Sequence, residues 1–380
     1  MNIKKTNNKM KILMLNYEFP PLGGGGGVAS YKLAKGFVKL GHQVDVVTTW
    51  FKGLKEIGEI EGITVYRVKV PMRTKLQTAS LISMLFFPRR AYRLAKNLIE
   101  KNKYDLINTH FAIPTGPVGV KLSKKYGIKN ILSIHGGDIY DPTKKLSPHN
   151  NFILRWIVRN VLNNSDYVVA QSSNTKENTI KYYSPKNRID VIPLAYEPFS
   201  FNKVSRKSLN LSKNKKYLIG IGRLVKRKGF DFAIKALSRL PKNIELLIIG
   251  DGPEKQNLKN LANKLSVAQR VRFLGQLSQE KKFQYLNNSD IFFLSSVHEG
   301  FGIVLQEAMQ VGLPIISTNN GGQTDIIKDG KNGFLVNYGD TEEAKDKIKS
   351  LLNKKRAKKN KEQIGKFNLK DIAKRYLELI

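Results

Sequence analysis

The feature that most constrains the fold is a regular alternation of short apolar, β-branched runs with amphipathic segments of helical period. Several of the runs are apolar along their whole length, as in parallel strands that are buried on both faces of a sheet. Segments of helical period lie between them, for example Ala29–Leu40 and Phe230–Leu240. This alternation predicts an α/β architecture with doubly wound parallel sheets.

The strand candidates fall into two sets, which predicts two such sheets. The first set is Ile12–Asn16, Gln43–Thr49, Ile63–Val68, Leu106–Thr109, Ile131–Ile134, Tyr167–Ala170 and Asp190–Ile192. The second set is Tyr217–Ile221, Glu245–Ile249, Val271–Leu274, Ile291–Leu294, Pro314–Ser317 and Gly333–Val336. The 380 residues suit two domains of about 100–200 residues each. Prolines and a polar stretch between Ile192 and Lys216 predict domains over residues 1–195 and 196–364.

The charge is strongly positive, because 66 Lys and Arg residues stand against 30 Asp and Glu residues, a net +36. Such a charge favours an anionic partner, and nucleic acid, acidic lipid headgroups and phosphorylated small molecules all satisfy it. Solvated lysine in a Lys-, Asn- and Ile-rich composition is the simpler explanation for much of it. The chain has no cysteine, which excludes disulfides, thiolate zinc sites and cysteine nucleophiles.

Membrane-spanning and secretory segments are not predicted. The first residues lead into a strand and have no small-residue cleavage site, so they do not resemble a signal peptide. The longest apolar stretch, Ala79–Phe87, is far shorter than the roughly 20 residues of a spanning helix. We therefore expect a cytoplasmic protein, peripheral at the inner face of the cell membrane if it contacts a membrane.

A glycine-rich segment, Pro20–Phe37, follows the first strand candidate and leads into a helix candidate. Glycines let a backbone approach a ligand closely, and the amides of a helix N-terminus attract anions. Gly24, Gly26 and Ala29 have the spacing of a dinucleotide-binding turn, but the next strand ends without the acidic residue that such sites need. An anion-facing loop is the better interpretation, and a mobile loop is the alternative.

Basic residues follow the first strand of the second set, in the segment Gly220–Gly229. Arg223 and Lys228 are five residues apart across a turn, and both side chains suit phosphate oxygens. A solvated basic loop is the commoner fate of such a cluster. The position at the carboxyl end of a strand favours a ligand site, because open α/β sheets bind ligands there.

Two carboxylates flank a glycine turn in the segment Ser295–Met309. Glu299 lies in the turn, and Glu307 lies eight residues later on the predicted helix. Ionised carboxylates only accept hydrogen bonds, so the pair suits a ligand rich in hydroxyl groups. A capped amphipathic helix with an acidic first turn is the structural alternative.

Two of the five histidines end strand candidates and are the ones that could face a ligand. His135 precedes two glycines and Asp138, and His110 ends the preceding strand. His42 and His149 have the surroundings of surface turns. No zinc-protease, D-x-D, serine-hydrolase or P-loop motif occurs, which removes those classes.

With these motifs, the chain resembles the retaining glycosyltransferases of the GT-B fold, family 4, also called glycosyl transferases group 1. The shared motifs are the glycine loop Pro20–Gly26, H-G-x-D (His135–Asp138), G-R-x-x-x-x-K-G (Gly222–Gly229), G-x-G-P (Gly250–Pro253), F-x-G (Phe273–Gly275) and E-G-F-G-x-x-x-x-E (Glu299–Glu307). The last motif is the most specific of them. The resemblance covers nearly the whole chain and implies two Rossmann-like domains facing a cleft.

The resemblance implies roles for individual residues. Arg223 and Lys228 would bind the donor diphosphate, and Glu307 would bind the ribose hydroxyls. Contacts to the donor sugar and base are also implied, from Glu299, Phe301, Gly302 and His135 for the sugar, and from Phe273, Gly275 and Gln276 for the base. Gly24 and Gly25 would approach the phosphates, and residues 365–380 would form a helix returning to the first domain. His135 and Glu299 would be the catalytic pair.

The implied reaction is metal-independent transfer from a UDP- or GDP-sugar with retention, so no cofactor and no bound metal are expected. The C-terminal half departs from the family pattern at one point. Where many relatives have G-G-x-P-E, this chain has Gly321-Gly322-Gln323-Thr324-Asp325, so Asp325 is given no role in donor binding. The sequence does not specify the base, the sugar, the acceptor or the oligomeric state.

The segment Arg67–Lys103 holds ten basic side chains and one acidic one, Glu100, interspersed with apolar residues. This composition is typical of a helix at an anionic lipid surface. Arg89, Arg90 and Arg93 are the membrane-contact candidates, and the acceptor would then be a lipid-linked or envelope glycan. The alternative is a helix that faces the protein core and has a basic outer face.

Two other functions remain open at the level of sequence. The charge alone would suit a nucleic-acid-binding protein, although no zinc finger, RNA-recognition or basic-zipper pattern is present. A sugar-nucleotide epimerase or a phosphorylase-like enzyme of the same fold is the third possibility.

Overall fold

The chain folds into two units. The computed structural model describes residues 9–74, 76, 80–352 and 358–380. The described residues up to Glu197 form the first unit together with Phe367–Ile380, and Pro198–Lys366 form the second. These boundaries lie two residues beyond the ones expected from the sequence.

The first unit is built on an eight-stranded sheet with strand order β3-β4-β2-β1-β5-β6-β7-β8. The strands are β1 (Lys11–Leu15), β2 (Gln43–Thr49), β3 (Ile57–Ile60), β4 (Ile63–Val68), β5 (Leu106–His110), β6 (Asn130–Ile134), β7 (Tyr167–Ala170) and β8 (Ile189–Val191). The helices are α1 (Gly25–Lys39), α2 (Leu81–Lys101), α3 (Gly116–Tyr126), α4 (Phe152–Asn164) and α5 (Ser173–Tyr183). All strand pairs are parallel except β3 with β4.

The strand β3, which was not among the predicted strands, pairs antiparallel with β4 at one edge of the sheet. Its residues are alternately exposed and half-buried, so it lacks the apolar run by which the other strands were found. Glu61 and Gly62 both have positive φ angles, 48° and 79°, as a two-residue hairpin turn requires. That Glu-Gly pair between isoleucines was the available signal.

The second unit is built on a six-stranded parallel sheet with strand order β11-β10-β9-β12-β13-β14. The strands are β9 (Lys216–Ile221), β10 (Ile244–Ile249), β11 (Val271–Gly275), β12 (Ile291–Leu294), β13 (Ile315–Thr318) and β14 (Phe334–Val336). The helices are α6 (Phe230–Ser238), α7 (Lys255–Lys264), α8 (Gln279–Asn288), α9 (Ile303–Gln310), α10 (Gln323–Ile326), α11 (Thr341–Leu352) and α12 (Lys358–Gln363). Residues 353–357, between α11 and α12, lie outside the described part of the chain.

The last helix, α13 (Leu369–Leu377), packs on α1 of the first unit. A Cβ on Gly36 of α1 would lie 2.6 Å from the carbonyl oxygen of Leu369, so glycine allows the two helices to approach closely. Ile372 and Tyr376 of α13 are buried in the core cluster that also holds Leu33 and Phe37 of α1. This core covers one face of the first sheet.

Each sheet has a point where the chain order reverses. In the first unit it lies between β1 and β5, and in the second it lies between β9 and β12. Open α/β sheets bind ligands at the carboxyl ends of strands at such points. The two parallel-sheet Rossmann-like units confirm the predicted fold class, and they place two pairs of loops where ligands are expected.

Candidate active site

The loops that follow β9 and β12 touch at the switch point of the second sheet. Gly229 has a φ angle of +59°, and a Cβ on it would lie 2.0 Å from the carbonyl oxygen of Ser295. The amide of Val297 donates a hydrogen bond to the carbonyl oxygen of Arg227 at 2.8 Å. Only glycine at position 229 permits this approach, so the backbone itself brings the two predicted motifs together.

Lys228 and Glu299 form an ion pair between these two loops. Their side chains are only 15% and 12% exposed. Burial lowers the pKa of Lys228, with the Glu299 carboxylate opposing the change. Burial alone would raise the pKa of Glu299, but the charges of Lys228 and Arg227 outweigh it and hold that pKa below its ordinary value. The site therefore contains a buried ammonium group and an ionised carboxylate.

Arg223 adds a second cation close to this pair. Its side chain is exposed, just past the end of β9. Its positive charge contributes to the lowered pKa of Lys228, which places the two cations within electrostatic reach of each other. The convergence expected from their spacing is therefore compatible with the structure, with one cation exposed to solvent and one buried.

Glu307 lies on α9, which begins after Gly302 with its φ angle of +97°. Phe301 is buried, so this residue can offer a ligand only its backbone. The Glu307 side chain is nearly buried, and its Oε1 accepts a hydrogen bond from Lys282 Nζ at 2.6 Å. Within the described part of the chain, Glu307 Oε2 has no hydrogen-bond partner. A buried carboxylate oxygen without a donor is suited to accept one from a ligand hydroxyl.

The loop after β13 contacts the backbone of Glu299. The carbonyl oxygen of Glu299 accepts a hydrogen bond from the amide of Gly322 at 2.7 Å. A Cβ on Gly321 would lie 2.4 Å from the same carbonyl oxygen, so this glycine is required by close approach. Asp325 lies in the short helix α10 and its amide donates to the carbonyl oxygen of Gly322 at 3.2 Å.

The residues predicted to line the base lie at the end of β11, the edge strand. Phe273 is partly buried and packs against the core, whereas Gln276 is exposed. Gly275 has a φ angle of +68°, and its carbonyl oxygen accepts a hydrogen bond from the amide of Gly250 at 2.7 Å. Their role toward a base remains a prediction.

In the first unit, the glycine run forms the start of α1. The helix includes most of the helical-period segment Ala29–Leu40 but begins earlier, at Gly25, with Gly24 as its N-cap. The amide of Gly24 donates a hydrogen bond to Glu18 Oε2 at 3.1 Å. Gly24 and Gly25 are exposed, so the first turn of this helix is open to a ligand.

Phe111 connects this turn to His135. A Cβ on Gly26 would lie 2.3 Å from the Phe111 ring, so the helix packs directly on that ring. The ring centroids of Phe111 and His135 are 4.5 Å apart. The structure therefore brings together the glycine run and the histidine motif, which are more than 100 residues apart in sequence.

His135 is held by a chain of side-chain hydrogen bonds. Asn108 Nδ2 donates to the Ile131 carbonyl oxygen, so Asn108 Oδ1 faces His110 Nε2 at 2.8 Å. A carbonyl oxygen only accepts, so His110 carries its hydrogen on Nε2 and accepts through Nδ1 from His135 Nε2 at 2.9 Å. His110 is thus a buried partner of His135 and does not face a ligand itself.

The electrostatics keep both histidines neutral. Burial lowers the pKa of His110 well below its ordinary value, and the neighbouring His135 adds to the effect. Burial lowers the pKa of His135 to about 4, against a hydrogen bond with Gln171 that raises it. Burial raises the pKa of Asp138 to about 6, although its carboxylate accepts from the amides of Ala112 and His135. His135 is therefore a neutral imidazole of fixed tautomer, and its contact with a ligand remains a prediction.

Comparison with known proteins shows the family of the chain. The family description "Glycosyltransferase Family 4" matches residues 23–198, and "Glycosyl transferases group 1" matches residues 201–369. The chain is 28% identical over 355 residues to N-acetyl-alpha-D-glucosaminyl L-malate synthase of Bacillus anthracis, covering 90% of this chain and 88% of that protein. The chain belongs to the group 1, family 4 glycosyltransferases.

Solved glycosyltransferase structures share the fold. Sucrose-phosphate synthase from Thermosynechococcus elongatus superimposes with a TM-score of 0.85 at 21% identity, covering 98% of each chain. HepE of Anabaena, solved in complex with UDP and glucose, superimposes with a TM-score of 0.75 at 22% identity, covering 97% of this chain and 98% of that one. This glycosyltransferase is therefore a GT-B enzyme.

The residues of this glycosyltransferase that sequence reasoning missed are the partners of the predicted ones. Lys282 is 25 residues from its partner Glu307 and belongs to no motif. Glu18 and Asn108 lie only six and two residues from Gly24 and His110, but both stand outside the predicted motifs. Among the described residues, no group of three or more His, Asp or Glu side chains is arranged to hold a metal ion. Metal independence of the glycosyltransferase thus stays a prediction.

The three membrane-contact candidates lie on a helix, as predicted from the sequence. Arg89, Arg90 and Arg93 are all exposed on α2, and Arg90 Nη1 donates to the carbonyl oxygen of Lys69 at 2.6 Å. The opposite side of α2 packs into the core through Phe87 and other residues. No helix in the described part of the glycosyltransferase is long and apolar enough to cross a membrane.

The low pKa of His135 predicts a pH-dependent stability. The pKa of His135 is about 4 in the folded chain and 6.5 for an ordinary histidine, so between these pH values the unfolded state binds the extra proton. The stabilisation is complete above pH 6.5 and is lost as the pH falls. The free energy of unfolding should therefore decrease by about 2 kcal/mol between roughly pH 7.5 and pH 5. Replacing His135 with glutamine should remove this loss, as urea unfolding at both pH values would measure. If both proteins lost the same free energy of unfolding, the titration of His135 would not be the cause of the loss.

Proposed function

We propose that this glycosyltransferase transfers a sugar from a UDP- or GDP-sugar, with retention and without a divalent metal, to a hydroxyl of a glycan or lipid-linked acceptor in cell-envelope polysaccharide or glycolipid synthesis. The observation that carries the donor part is the buried Lys228–Glu299 pair at the switch point of the second sheet. It places an ammonium group and a carboxylate where a nucleotide is expected.

The donor would be held by groups of matched chemistry. The Lys228 ammonium and the exposed Arg223 guanidinium suit the oxygens of a diphosphate. The free Oε2 of Glu307 suits a ribose hydroxyl, while Lys282 holds Oε1 of the same carboxylate. Support for a uridine diphosphate comes from HepE, whose structure was solved with UDP and glucose.

The transfer step needs charge stabilisation at the leaving group. The acceptor oxygen bonds to the anomeric carbon as the bond from that carbon to the diphosphate oxygen breaks, and the acceptor proton passes to the leaving diphosphate. The cations of Arg223 and Lys228 would stabilise the charge that develops there, in place of a metal ion. Glu299 keeps Lys228 in position and is itself available to the hydroxyls of the donor sugar.

The acceptor assignment rests on the first unit. The exposed arginines of α2 follow exposed apolar residues at the start of the same helix, such as Leu85 and Phe86. That combination favours contact with an anionic lipid surface, and hence an acceptor carried by lipid or by the cell envelope. Loss of vesicle binding when Arg89, Arg90 and Arg93 are changed to glutamate would support this acceptor assignment.

The donor proposal is tested by measuring the binding and slow hydrolysis of UDP- and GDP-sugars. We expect one of the two nucleotide classes to bind, and Glu307→Ala to weaken binding by about 10–100-fold because a buried acceptor to the ribose is lost. Glu362→Ala, which removes an exposed carboxylate of the same unit, is the matched control and should bind normally. Absence of binding by any nucleotide sugar would overturn the proposal.

A further inference from the structure

The helix α4 exposes an apolar surface that the donor site does not explain. Phe152 is 81% exposed and Trp156 is 68% exposed, and Ile153 beside them is also exposed. Leu146, just before this helix, is exposed as well. Large side chains of this kind are normally removed from water, so a cluster of four marks a contact surface.

A second exposed apolar cluster lies on α2. The exposed residues Leu81, Ile82, Leu85 and Phe86 occupy the first two turns of that helix. The helix α3 packs against both α2 and α4, so the three form one layer on the sheet. Each follows a parallel strand and leads to the next one, so all three begin at the carboxyl edge of the sheet. Both apolar clusters therefore lie toward the same edge, and we call them together the docking face.

The charge of this layer identifies the occupant. The helices α2, α3 and α4 carry five, three and two basic residues, and Glu100 is their single acidic residue. Residues 142–165, which include α4, contain no acidic residue and are flanked by Asp141 and Asp166. A second copy of the chain seated on this face would set these like charges against each other. An anionic bilayer complements both the cations and the apolar side chains.

Tryptophan and phenylalanine at the start of a basic helix suit the headgroup region in particular. Tryptophan has an amphipathic ring that is enriched at membrane–water interfaces. The charged heads of Arg155 and Arg159 are exposed on the same helix, where they can reach phosphate groups while the apolar rings enter the acyl boundary. The α4 helix thus has the composition that was noted for α2, with aromatic residues in addition.

We propose that α4 inserts Phe152, Ile153 and Trp156 into an anionic lipid bilayer, so that the enzyme docks through two helices rather than through α2 alone. This inference rests on the proposed lipid-linked acceptor and deepens it. Docking through both clusters turns the carboxyl edge of the first sheet toward the bilayer. That edge holds Gly24 and the His135 motif, so a hydroxyl acceptor at the headgroup level would be presented to them.

Trp156 provides a direct test, because the chain has only two tryptophans. Trp50→Phe leaves Trp156 as the sole fluorophore in the full chain. With phosphatidylcholine vesicles containing about 30% phosphatidylglycerol, we expect its emission to shift to the blue and to be quenched by brominated acyl chains. Vesicles of phosphatidylcholine alone should produce little change.

A pair of variants separates α4 from the rest of the surface. Phe152→Ser with Trp156→Ser should reduce co-sedimentation with the same vesicles about tenfold or more. Ile57→Ser removes an exposed apolar residue from the edge strand β3 and should leave co-sedimentation unchanged. Both proteins should keep their donor binding, because that site lies in the second unit.

Three results would overturn the inference. Vesicle binding without any change at Trp156 would leave docking to α2 alone. Absence of vesicle binding in a protein that still binds a nucleotide sugar would remove the docking face without touching the donor proposal. A blue shift that depends on protein concentration without lipid, together with dimers that Phe152→Ser abolishes, would assign the face to a second copy.

Discussion

Replacing Lys228 with alanine is expected to lower kcat/KM for sugar transfer by about 10²–10³-fold. The ammonium group lies in a nearly dry site, where stabilisation of a developing diphosphate charge is worth several kcal/mol. Lys226→Ala is the matched control, because that exposed lysine lies on the same turn and makes no ion pair with Glu299. Initial rates of nucleoside diphosphate release, with the nucleotide sugar that binds in the screen described above, would measure both variants.

A second variant separates catalysis from folding at this position. Removing Lys228 alone leaves the Glu299 carboxylate buried without its counter-ion, which costs stability in its own right. The double variant Lys228→Gln with Glu299→Gln removes both charges and should recover most of the thermal midpoint. Its transfer activity should stay as low as that of Lys228→Ala. Recovery of both stability and activity would show that the pair has a purely structural role.

The sequence was a good guide to the strands because most of them are buried on both faces. Gln43–Thr49, Ile63–Val68, Tyr167–Ala170 and Ile291–Leu294 have the same bounds in the sequence-based prediction and in the structure. Their apolar runs follow directly from burial between two layers of helices. The β3 strand was missed because an exposed edge strand has no such run.

The site was predictable only where a motif carries its own chemistry. The glycine turns and the acids and bases around them could be found, because each residue type implies a function at the end of a strand. The contacts that give those residues their properties come from distant parts of the chain. Lys282 forms a hydrogen bond with Glu307, and His110 forms one with His135. In each pair the two residues are 25 positions apart, so no local pattern connects them. Long-range packing, which the sequence does not display, decides which of these groups are buried and paired.

Gly250→Ala is the substitution with the largest expected effect on stability. Gly250 has a φ angle of +134°, and a Cβ on it would lie 1.9 Å from the carbonyl oxygen of Gly222. Its amide also donates to the carbonyl oxygen of Gly275, so the residue is held between the ends of β9 and β11. Backbone strain and a clash with fixed backbone together should cost about 3–5 kcal/mol, which corresponds to a loss of roughly 10 °C in the unfolding midpoint.

The matched control is Gly339→Ala, which isolates backbone strain from the clash. Gly339 lies in the same unit with a φ angle of +93°, and a Cβ on it would meet no atom within 4 Å. Alanine there should cost only about 1 kcal/mol, or roughly 2–4 °C, in calorimetry of the full chain. If the two variants lost the same stability, the close approach at Gly250 would contribute nothing. A larger loss at Gly250 would mean that the glycines beside the proposed donor site are required by the contact of strand ends, and that they shape the site through packing.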